Sequence, residues 1–324
     1  AMGRDLKLSN NRIAGYRNFG TKIWNAARFA QLNGCMTSEN FQPEDVTQTL
    51  NKWIIGETVR FKINVDIALS SYRFNDAANA AYSHIWGKFC DWYVEFSKPL
   101  LDLDDDKIKR ETKLTMAWAL DQCLIVLHPI MPFVTEEIWG KTASRKKMLI
   151  HTDWPTYELE GFQDQKADKE INWVINLIEQ IRSIRSELGV PAVAKIPLFI
   201  ISLDMAGKEA LNNNEHLILR LARLSAISTT ERTDKGSVTI AVEGGEFNLQ
   251  IVDFINLTVE SERLKKSIDK IQKERLGLTN KINNKNFLAN APKGLVSETK
   301  ERISELDEEL LKLSDAQQRL KNAG

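Results

Sequence analysis

The sequence has few cysteines and histidines, and none of them has a spacing typical of a metal site or a disulfide framework. Its 324 residues include three cysteines, Cys35, Cys90 and Cys123, and four histidines. The cysteines are far apart and form no CxxC pair, which argues against a zinc knuckle. Dispersed cysteines favour a reducing compartment. We therefore expect structural roles for these residues, no bound metal, and a cytoplasmic location.

The sequence also lacks a long hydrophobic run and an excess of charge of one sign. No segment approaches the roughly 20 apolar residues that cross a bilayer, so we expect no membrane partner. Lys plus Arg and Asp plus Glu each number 44, which gives a formal net charge of zero. Any electrostatic attraction to a nucleic acid must therefore come from a local cluster of charge.

The common catalytic motifs are absent from the sequence. It contains no Walker phosphate loop, no HExxH and no GxSxG. The adjacent carboxylates Glu136 and Glu137 in TEEIW would point in different directions on a helix, so we interpret them as favourable charges near a helix N-terminus. The sequence predicts no catalytic residue and no cofactor site.

Composition and periodicity divide the chain into three parts and predict a mainly α fold. All eight tryptophans lie between Trp24 and Trp173. Up to about residue 190, apolar residues recur at helical spacing, and Gly189 and Pro191 are typical stop signals. This pattern predicts a helix bundle over residues 1–192.

The middle of the chain has the features of a small α/β module, predicted over residues 193–254. IPLFII is typical of a buried strand, residues 207–224 predict a helix, and two strands are expected on either side of Gly244 and Gly245. No phosphate loop or carboxylate pair lies in this part. We interpret it as a packing module, because a fold alone carries no function.

The last part, residues 255–324, predicts an antiparallel coiled-coil hairpin. Apolar residues repeat at spacings of three and four before and after a turn rich in Asn, Pro and Gly. From Arg263 to Lys293 there are nine basic and two acidic residues, whereas from Glu298 to Asp315 there are seven acidic and three basic. A basic projecting rod can bind a phosphate backbone. Alternatively, the two helices pair through opposite charges, although this leaves the lysines near the tip unexplained.

The first helix poses a question about its polar side. In YRNFGTKIWNAARF, Phe19, Ile23 and the alanines share one face, while Asn18, Lys22, Asn25 and Phe29 fall in a narrow sector of the opposite face. Amides, cations and an exposed ring are the groups that bind unpaired RNA bases. The alternative is that a neighbouring helix of the bundle covers Phe29.

Three stretches resemble the bacterial valyl-tRNA synthetase family in the order in which they occur. They are GRDLKLSNNRIAGYRNFGTKIWNAARF after the catalytic domain, HPIMPFVTEEIW in the anticodon-binding bundle, and NKNFLANAPKGLVSETKERISEL in the C-terminal coiled-coil arm. The family joins valine to its tRNA and uses ATP with Mg²⁺. The HIGH and KMSKS signatures that hold ATP are absent here. The resemblance therefore implies a C-terminal fragment of a tRNA ligase, without its catalytic and editing domains.

The resemblance also implies a valine-specific tRNA as the partner of a monomeric chain. The anticodon would be bound by six residues of the first helix: Arg12, Asn18, Lys22, Asn25, Arg28 and Phe29. The tRNA backbone would be bound by five lysines of the arm: Lys266, Lys270, Lys273, Lys281 and Lys285. The alternative function is a protein-interaction scaffold that uses the hairpin to bind a partner helix.

Overall fold

The computed structural model describes residues 10–229 and 236–323, which form two compact units. The first unit extends to Ile171 and the second begins at Asn172. The division falls within a long helix, and each unit has its own buried apolar core.

The first unit is a helix bundle, as predicted. Its elements in chain order are α1 Asn10–Leu32, α2 Thr49–Ser70, α3 Phe74–Tyr82, a π-helical segment Ser83–Tyr93, α4 Val94–Asp102, α5 Asp106–Leu127 and α6 Pro132–Thr142, with short 3-10 turns at Pro43–Asp45 and Leu149–His151. Helix α7, Gln165–Glu187, begins in this unit and continues into the second.

The π-helical segment joins α3 to α4 and brings three large side chains onto one buried face. In the wide i→i+5 turn of a π-helix, residues four apart lie nearly above one another. Ile85, Phe89 and Tyr93 follow this spacing, and all three are fully buried. A π-helix of this length is rare, and shorter ones are frequent at functional sites.

A buried polar network connects the π-helical segment to α2 and α5. The hydroxyl of Tyr93 donates to Asn51 Oδ1 at 3.0 Å, and Asn51 Nδ2 donates to Glu111 Oε1 at 2.9 Å. Glu111 also accepts from the backbone N–H groups of Thr47 and Gln48, at 2.9 Å each. Burial acts to raise the pKa of Glu111, but these hydrogen bonds outweigh it and the pKa lies below its ordinary value.

The second unit contains a four-stranded mixed sheet. The strands β1 Ile196–Leu203, β2 Leu224–Thr229, β3 Ser237–Val242 and β4 Gly245–Gln250 lie in the order β2-β1-β4-β3. β1 pairs with β2 in parallel and with β4 antiparallel, and β3 pairs antiparallel with β4. Helix α8, Met205–Leu221, makes the crossover that the parallel pair requires.

The helix predicted over residues 207–224 is wrong at its C-terminal end. α8 ends at Leu221, and Leu224 begins β2, a strand that the sequence interpretation omitted. Arg223 adopts a positive φ of 54°, which reverses the chain between the helix and the strand. Most residues of β2 are exposed, so the segment has no alternating apolar pattern by which it could be recognised.

The C-terminal part is a helical hairpin. Its elements are α9 Leu257–Asn283, α10 Lys285–Asn290 and α11 Lys293–Ala323. The short helix α10 occupies the tip, where a loop was expected. The seam between the two long helices buries Leu264, Ile271, Leu306, Ala316 and Leu320.

The base of the hairpin is held against the end of α7. Arg263 donates to the backbone carbonyl of Glu187 at 2.8 Å, and Arg319 forms an ion pair with the Glu187 carboxylate at 2.7 Å. Gly189 has a φ of +64°, and a Cβ at this position would lie 2.8 Å from Oε2 of Glu260. The chain therefore needs glycine here, both to end α7 and to admit α9.

The predicted fold class is confirmed. The chain is mainly α, with a helix bundle, a small α/β module and a C-terminal helical hairpin.

Replacing Leu306 by Ala should destabilise the hairpin strongly. Leu306 is 0% exposed in the seam, and truncating a buried leucine costs about 2 to 5 kcal/mol. Leu311 lies on the same helix and is 65% exposed, so Leu311→Ala is the matched control and should change little. Urea unfolding followed by circular dichroism measures both variants. Equal effects would contradict the assigned seam.

The second stability prediction concerns His84 and the pH dependence of unfolding. His84 is stacked on Phe61 with ring centroids 4.6 Å apart, and its Nε2 lies 3.3 Å from Thr58 Oγ1. Because the Thr58 hydroxyl donates to the Ile54 carbonyl at 2.7 Å, the neutral imidazole must donate through Nε2. Burial, together with the charges of Lys88 and Arg60, lowers the pKa of His84 to about 3.

The unfolded chain binds a proton at His84 below pH ~6.5, whereas the folded chain does not until about pH 3. The contribution of neutral His84 to the free energy of unfolding is therefore complete above pH ~6.5. It falls by about 1.4 kcal/mol per pH unit as the pH drops from there to about 3. Urea unfolding at pH 7, 6 and 5 should show a shallower slope for His84→Gln than for the parent chain. The control variant is His216→Gln, which replaces an exposed histidine. If His84→Gln showed the same slope as the parent chain, the pH dependence could not be attributed to His84.

Candidate nucleic-acid interface

The two faces of α1 differ in burial much as the sequence predicted. Phe19, Ile23 and the alanines at 26, 27 and 30 are buried. On the opposite side, Asn18, Asn25 and Arg28 are exposed, and within the described chain they make no hydrogen bond or ion pair. The backbone of Arg12 lies in α1, but its side chain is outside the described part of the structure. The exposed amides and guanidinium are available to an external ligand.

Lys22 is fixed in place by the π-helical segment. Its ammonium group forms an ion pair with the Asp91 carboxylate. The same group lies 3.9 Å from the ring centroid of Trp86, within the range of a cation–π contact. Because Asp91 neutralises it locally, Lys22 presents a positioned donor rather than a free positive charge.

Phe29 is half-buried, so its exposure lies between the two interpretations of the sequence. The ammonium group of Lys98, on α4, lies 5.6 Å from the centroid of the Phe29 ring. The Lys98 side chain therefore lies over the Phe29 ring, and part of Phe29 stays accessible to solvent.

A cleft beside Arg28 was not found from the sequence. It has a volume of about 240 Å³ and lies between α1 and the end of α6. Trp24, half-exposed, forms one wall together with Arg28, and Gln31 donates to the Lys141 carbonyl at the far side. The spacing of four residues between Trp24 and Arg28 is the signal that could have found it, since such residues are neighbours on a helix.

Two aromatic residues that contact Phe19 were also missed. Tyr82 ends α3 and Trp86 lies in the π-helical segment, and both rings contact Phe19 of α1. They are four residues apart in NDAANAAYSHIW, within the region that the sequence predicts as a helix bundle. Tyr82 is in fact 44% exposed.

The adjacent carboxylates of TEEIW have separate structural roles. Glu136 accepts from the backbone N–H groups of Leu149 and Ile150, at 2.8 and 3.2 Å. Glu137 pairs with Lys141 one turn away, at 3.2 Å. Neither arrangement resembles a general acid and base acting on one substrate.

The lysines of the hairpin form a stripe opposite the buried seam. At about 100° per residue, Lys266, Lys270, Lys273 and Lys281 lie within a sector of about 80°, with Leu264 and Ile271 on the other side of α9. All four are exposed, as is Lys285 in α10. Within the described residues these lysines form no ion pair, although the Lys281 ammonium lies 4.9 Å from the Phe287 ring centroid.

Opposite charges do join the two long helices, but arginines supply the positive partners. Arg275 pairs with Asp307, and Arg302 pairs with Glu274 at 3.0 Å. Cross-helix pairing therefore accounts for part of the charge asymmetry and leaves the lysine stripe without an ion-pair partner among the described side chains of the hairpin.

The buried cysteines offer no nucleophile. Cys35, Cys90 and Cys123 are free thiols in the interior. Burial raises the pKa of Cys35 to about 11 and that of Cys90 to about 12, so both stay protonated at neutral pH. Among the described residues there is no group of His, Cys, Asp or Glu side chains that could hold a metal ion. None of the helices described is both long and apolar enough to cross a membrane.

Comparison with known families defines the class of protein. Residues 51–200 match the family described as the anticodon-binding domain of tRNA ligase. Residues 256–321 match the family described as the valyl tRNA synthetase tRNA binding arm. The first match begins after α1, and the second covers nearly the whole hairpin. The fold and the two matches define part of an aminoacyl-tRNA synthetase.

The closely similar relatives identify the branch of that class. The chain is 52% identical over 322 residues to the valine–tRNA ligase of Cereibacter sphaeroides, a match that covers 99% of this chain and 32% of the relative. It is 47% identical over 328 residues to that of Ruegeria pomeroyi, covering 100% and 32%. For Caulobacter vibrioides the identity is 43% over 325 residues, covering 99% and 36%.

The chain carries an anticodon-binding domain of the tRNA-ligase type and the tRNA-binding arm of valyl-tRNA synthetases. It spans about a third of the length of the curated relatives it matches and corresponds to their C-terminal part, which does not include the catalytic domain. The family predicted from the sequence is confirmed. These matches do not favour the alternative of a protein-interaction scaffold.

Proposed function

We propose that this chain is the tRNA-binding part of a valine–tRNA ligase. The observation that carries the proposal is that both matched tRNA-ligase regions lie in one chain. The first region follows a helix with exposed hydrogen-bond donors, and the second region contains exposed lysines. In the bundle these are the amides and cations of α1, and in the arm they are the lysines of α9 and α10.

The α1 face is proposed to read the anticodon. Asn18, Asn25 and Arg28 are exposed and without partners in the described chain, so they can bond base edges or phosphates without first breaking an internal contact. Lys22 and Phe29, half-buried, would add a positioned donor and part of a ring, and Arg12 stays a prediction from the sequence alone. Anticodon bases are unpaired, and unpaired bases are read through their edges and their ring faces.

The arm is proposed to bind the tRNA backbone. Lys266, Lys270, Lys273 and Lys281 lie on the exposed side of α9, opposite its buried seam residues, and Lys285 is exposed in α10. Such a stripe fits a line of phosphates, whose counterions are released when the lysines bind. Contacts of this kind give affinity without reading sequence.

Under this proposal the chemistry belongs to the rest of the enzyme. The relatives are named ligases, and we infer that the whole protein charges a valine-specific tRNA with the use of ATP and Mg²⁺. Because the chain covers only the C-terminal part of the relatives and not their catalytic domain, we assign ATP and Mg²⁺ to the rest of the enzyme. The division into parts at residues 1–192, 193–254 and 255–324, the monomeric state and the cytoplasmic location stay predictions.

Replacing Phe29 by Ala should weaken binding of tRNA that carries a valine anticodon. The loss of one base stack is worth about 1 to 3 kcal/mol. Fluorescence anisotropy measures the affinity of the 324-residue chain for two tRNAs that differ only in the anticodon. The parent chain should prefer the valine anticodon, and Phe29→Ala should reduce this preference. Phe74→Ala is the control, because Phe74 is an exposed ring on α3. The absence of any anticodon preference in the parent chain would refute the proposal.

Replacing Lys281 and Lys285 together by Ala should weaken the binding of both tRNAs equally. Because each phosphate contact adds about 0.7 to 0.9 to the slope of log affinity against log salt, the double variant should show a shallower slope. The matched control is Lys300→Ala with Lys312→Ala, which removes two exposed lysines from α11 and changes the net charge by the same amount. If the two double variants had the same salt slope, the stripe on α9 and α10 would have no special role.

A further inference from the structure

Three aromatic rings meet where α1 packs on the neighbouring helix. The centroids of Phe19 and Tyr82 are 5.2 Å apart, those of Tyr82 and Trp86 are 5.5 Å apart, and those of Phe19 and Trp86 are 6.5 Å apart. Tyr82 and Trp86 are nearly parallel, with an angle of 15° between the ring planes. These distances are typical of offset stacking.

The three rings differ in what covers them. Phe19 is buried, and Trp86 is half-buried with the Lys22 ammonium 3.9 Å from its centroid. Tyr82 is 44% exposed, the largest exposed fraction of the three. Core packing accounts for Phe19, but it leaves the outer part of Tyr82 unexplained, since a ring kept only for packing gains nothing from its contact with water.

The position of Tyr82 links it to the α1 face. Tyr82 contacts Phe19, which directly follows Asn18, the first exposed amide of that face. Tyr82 also contacts Trp86, and the Lys22 ammonium lies over the Trp86 ring. The Tyr82 ring therefore borders the proposed anticodon-binding residues on the side opposite to Arg28.

We propose that Tyr82, backed by Trp86, is a second stacking platform for an unpaired base of the RNA loop that the α1 face binds. The inference rests on the proposed function and adds to it two residues on a different helix. A base that leaves the loop stack loses its neighbours and regains them on an exposed ring. Trp86 keeps the Tyr82 ring at a fixed angle, so the platform is formed before the RNA arrives.

The platform acts through ring contact and not through charge. The cation next to it, Lys22, is neutralised by Asp91, so this corner of the surface has little net charge to offer a phosphate. We therefore expect the contribution of Tyr82 to be nearly independent of salt, unlike that of the arm lysines.

The experiment uses anticodon stem-loop RNAs that carry 2-aminopurine at one loop position at a time. With the parent 324-residue chain, the fluorescence of one such base should be quenched on binding, because 2-aminopurine is quenched when it stacks. Tyr82→Ala should abolish this quenching and weaken binding about 10-fold, the size expected for one stack. Tyr82→Phe should retain both, since the ring face is kept. The loss of affinity should be the same at low and high salt.

Two variants guard against a merely structural effect. Tyr82→Leu keeps an apolar side chain against Phe19 but has no ring face, so it should fold normally and still lose the quenching. Tyr72→Ala removes a tyrosine that is 77% exposed at the end of α2, and it should behave like the parent chain. Thermal melting of all variants reports folding.

The outcomes separate this inference from the proposed function. If the parent chain binds the stem-loop and Tyr82→Leu binds with equal affinity and equal quenching, the platform is refuted and the proposed function stands. If the Tyr82→Ala variant is unfolded and does not bind, while the Tyr82→Leu variant is folded and binds normally, the role of Tyr82 is packing and the platform is refuted. If the parent chain binds no stem-loop RNA, both are refuted.

Discussion

The burial of Phe19 against Tyr82 and Trp86 is the contact on which the candidate interface depends. It fixes the rotation of α1, and that rotation decides which side chains of the helix stay in solvent. With Phe19 and Ile23 inside, Asn18, Asn25 and Arg28 are necessarily outside, because side chains on a helix turn by about 100° per residue. A helix rotated by one residue would bury an amide and expose a phenylalanine, and burying an amide without a hydrogen bond costs about 1 to 3 kcal/mol.

The π-helical segment gives this contact its geometry. It places Trp86 under the Lys22 ammonium and Asp91 beside it, so one cation of the face is fixed by a ring and a carboxylate at the same time. The same segment buries Ile85, Phe89 and Tyr93 in the core, and Tyr93 is connected to Asn51 and through it to Glu111. The position of a surface lysine is thus coupled to a polar network in the interior of the bundle. Fixed donors lose little conformational entropy when a ligand binds.

In the arm, the contacts that stabilise the fold are separate from the proposed binding surface. Its two long helices are held together by a leucine-rich seam and by the pairs Arg275–Asp307 and Arg302–Glu274, which leave the lysines of α9 uninvolved. Its base is attached by Arg263 and Arg319 to Glu187, at the end of α7. Exposed ion pairs contribute little stability, so the seam carries the fold of the hairpin and the pairs set its register. The lysine stripe is then free to vary without loss of the fold, which suits a surface that contacts a backbone rather than bases.

The sequence by itself determined the helical bundle, the α/β module, the hairpin and the two-sided character of α1, because these depend on the spacing of apolar residues along a regular backbone. It also determined the family, through three stretches in the correct order. Only the tertiary structure decided what surrounds each side chain: the carboxylate beside Lys22, the ammonium beside Phe29, and the partial exposure of Tyr82. Periodicity could not reveal these, because more than fifty residues separate Lys22 from Asp91, Phe29 from Lys98 and Tyr82 from Phe19. For the same reason β2 was missed, since it is defined by its pairing with β1 and not by a pattern of its own.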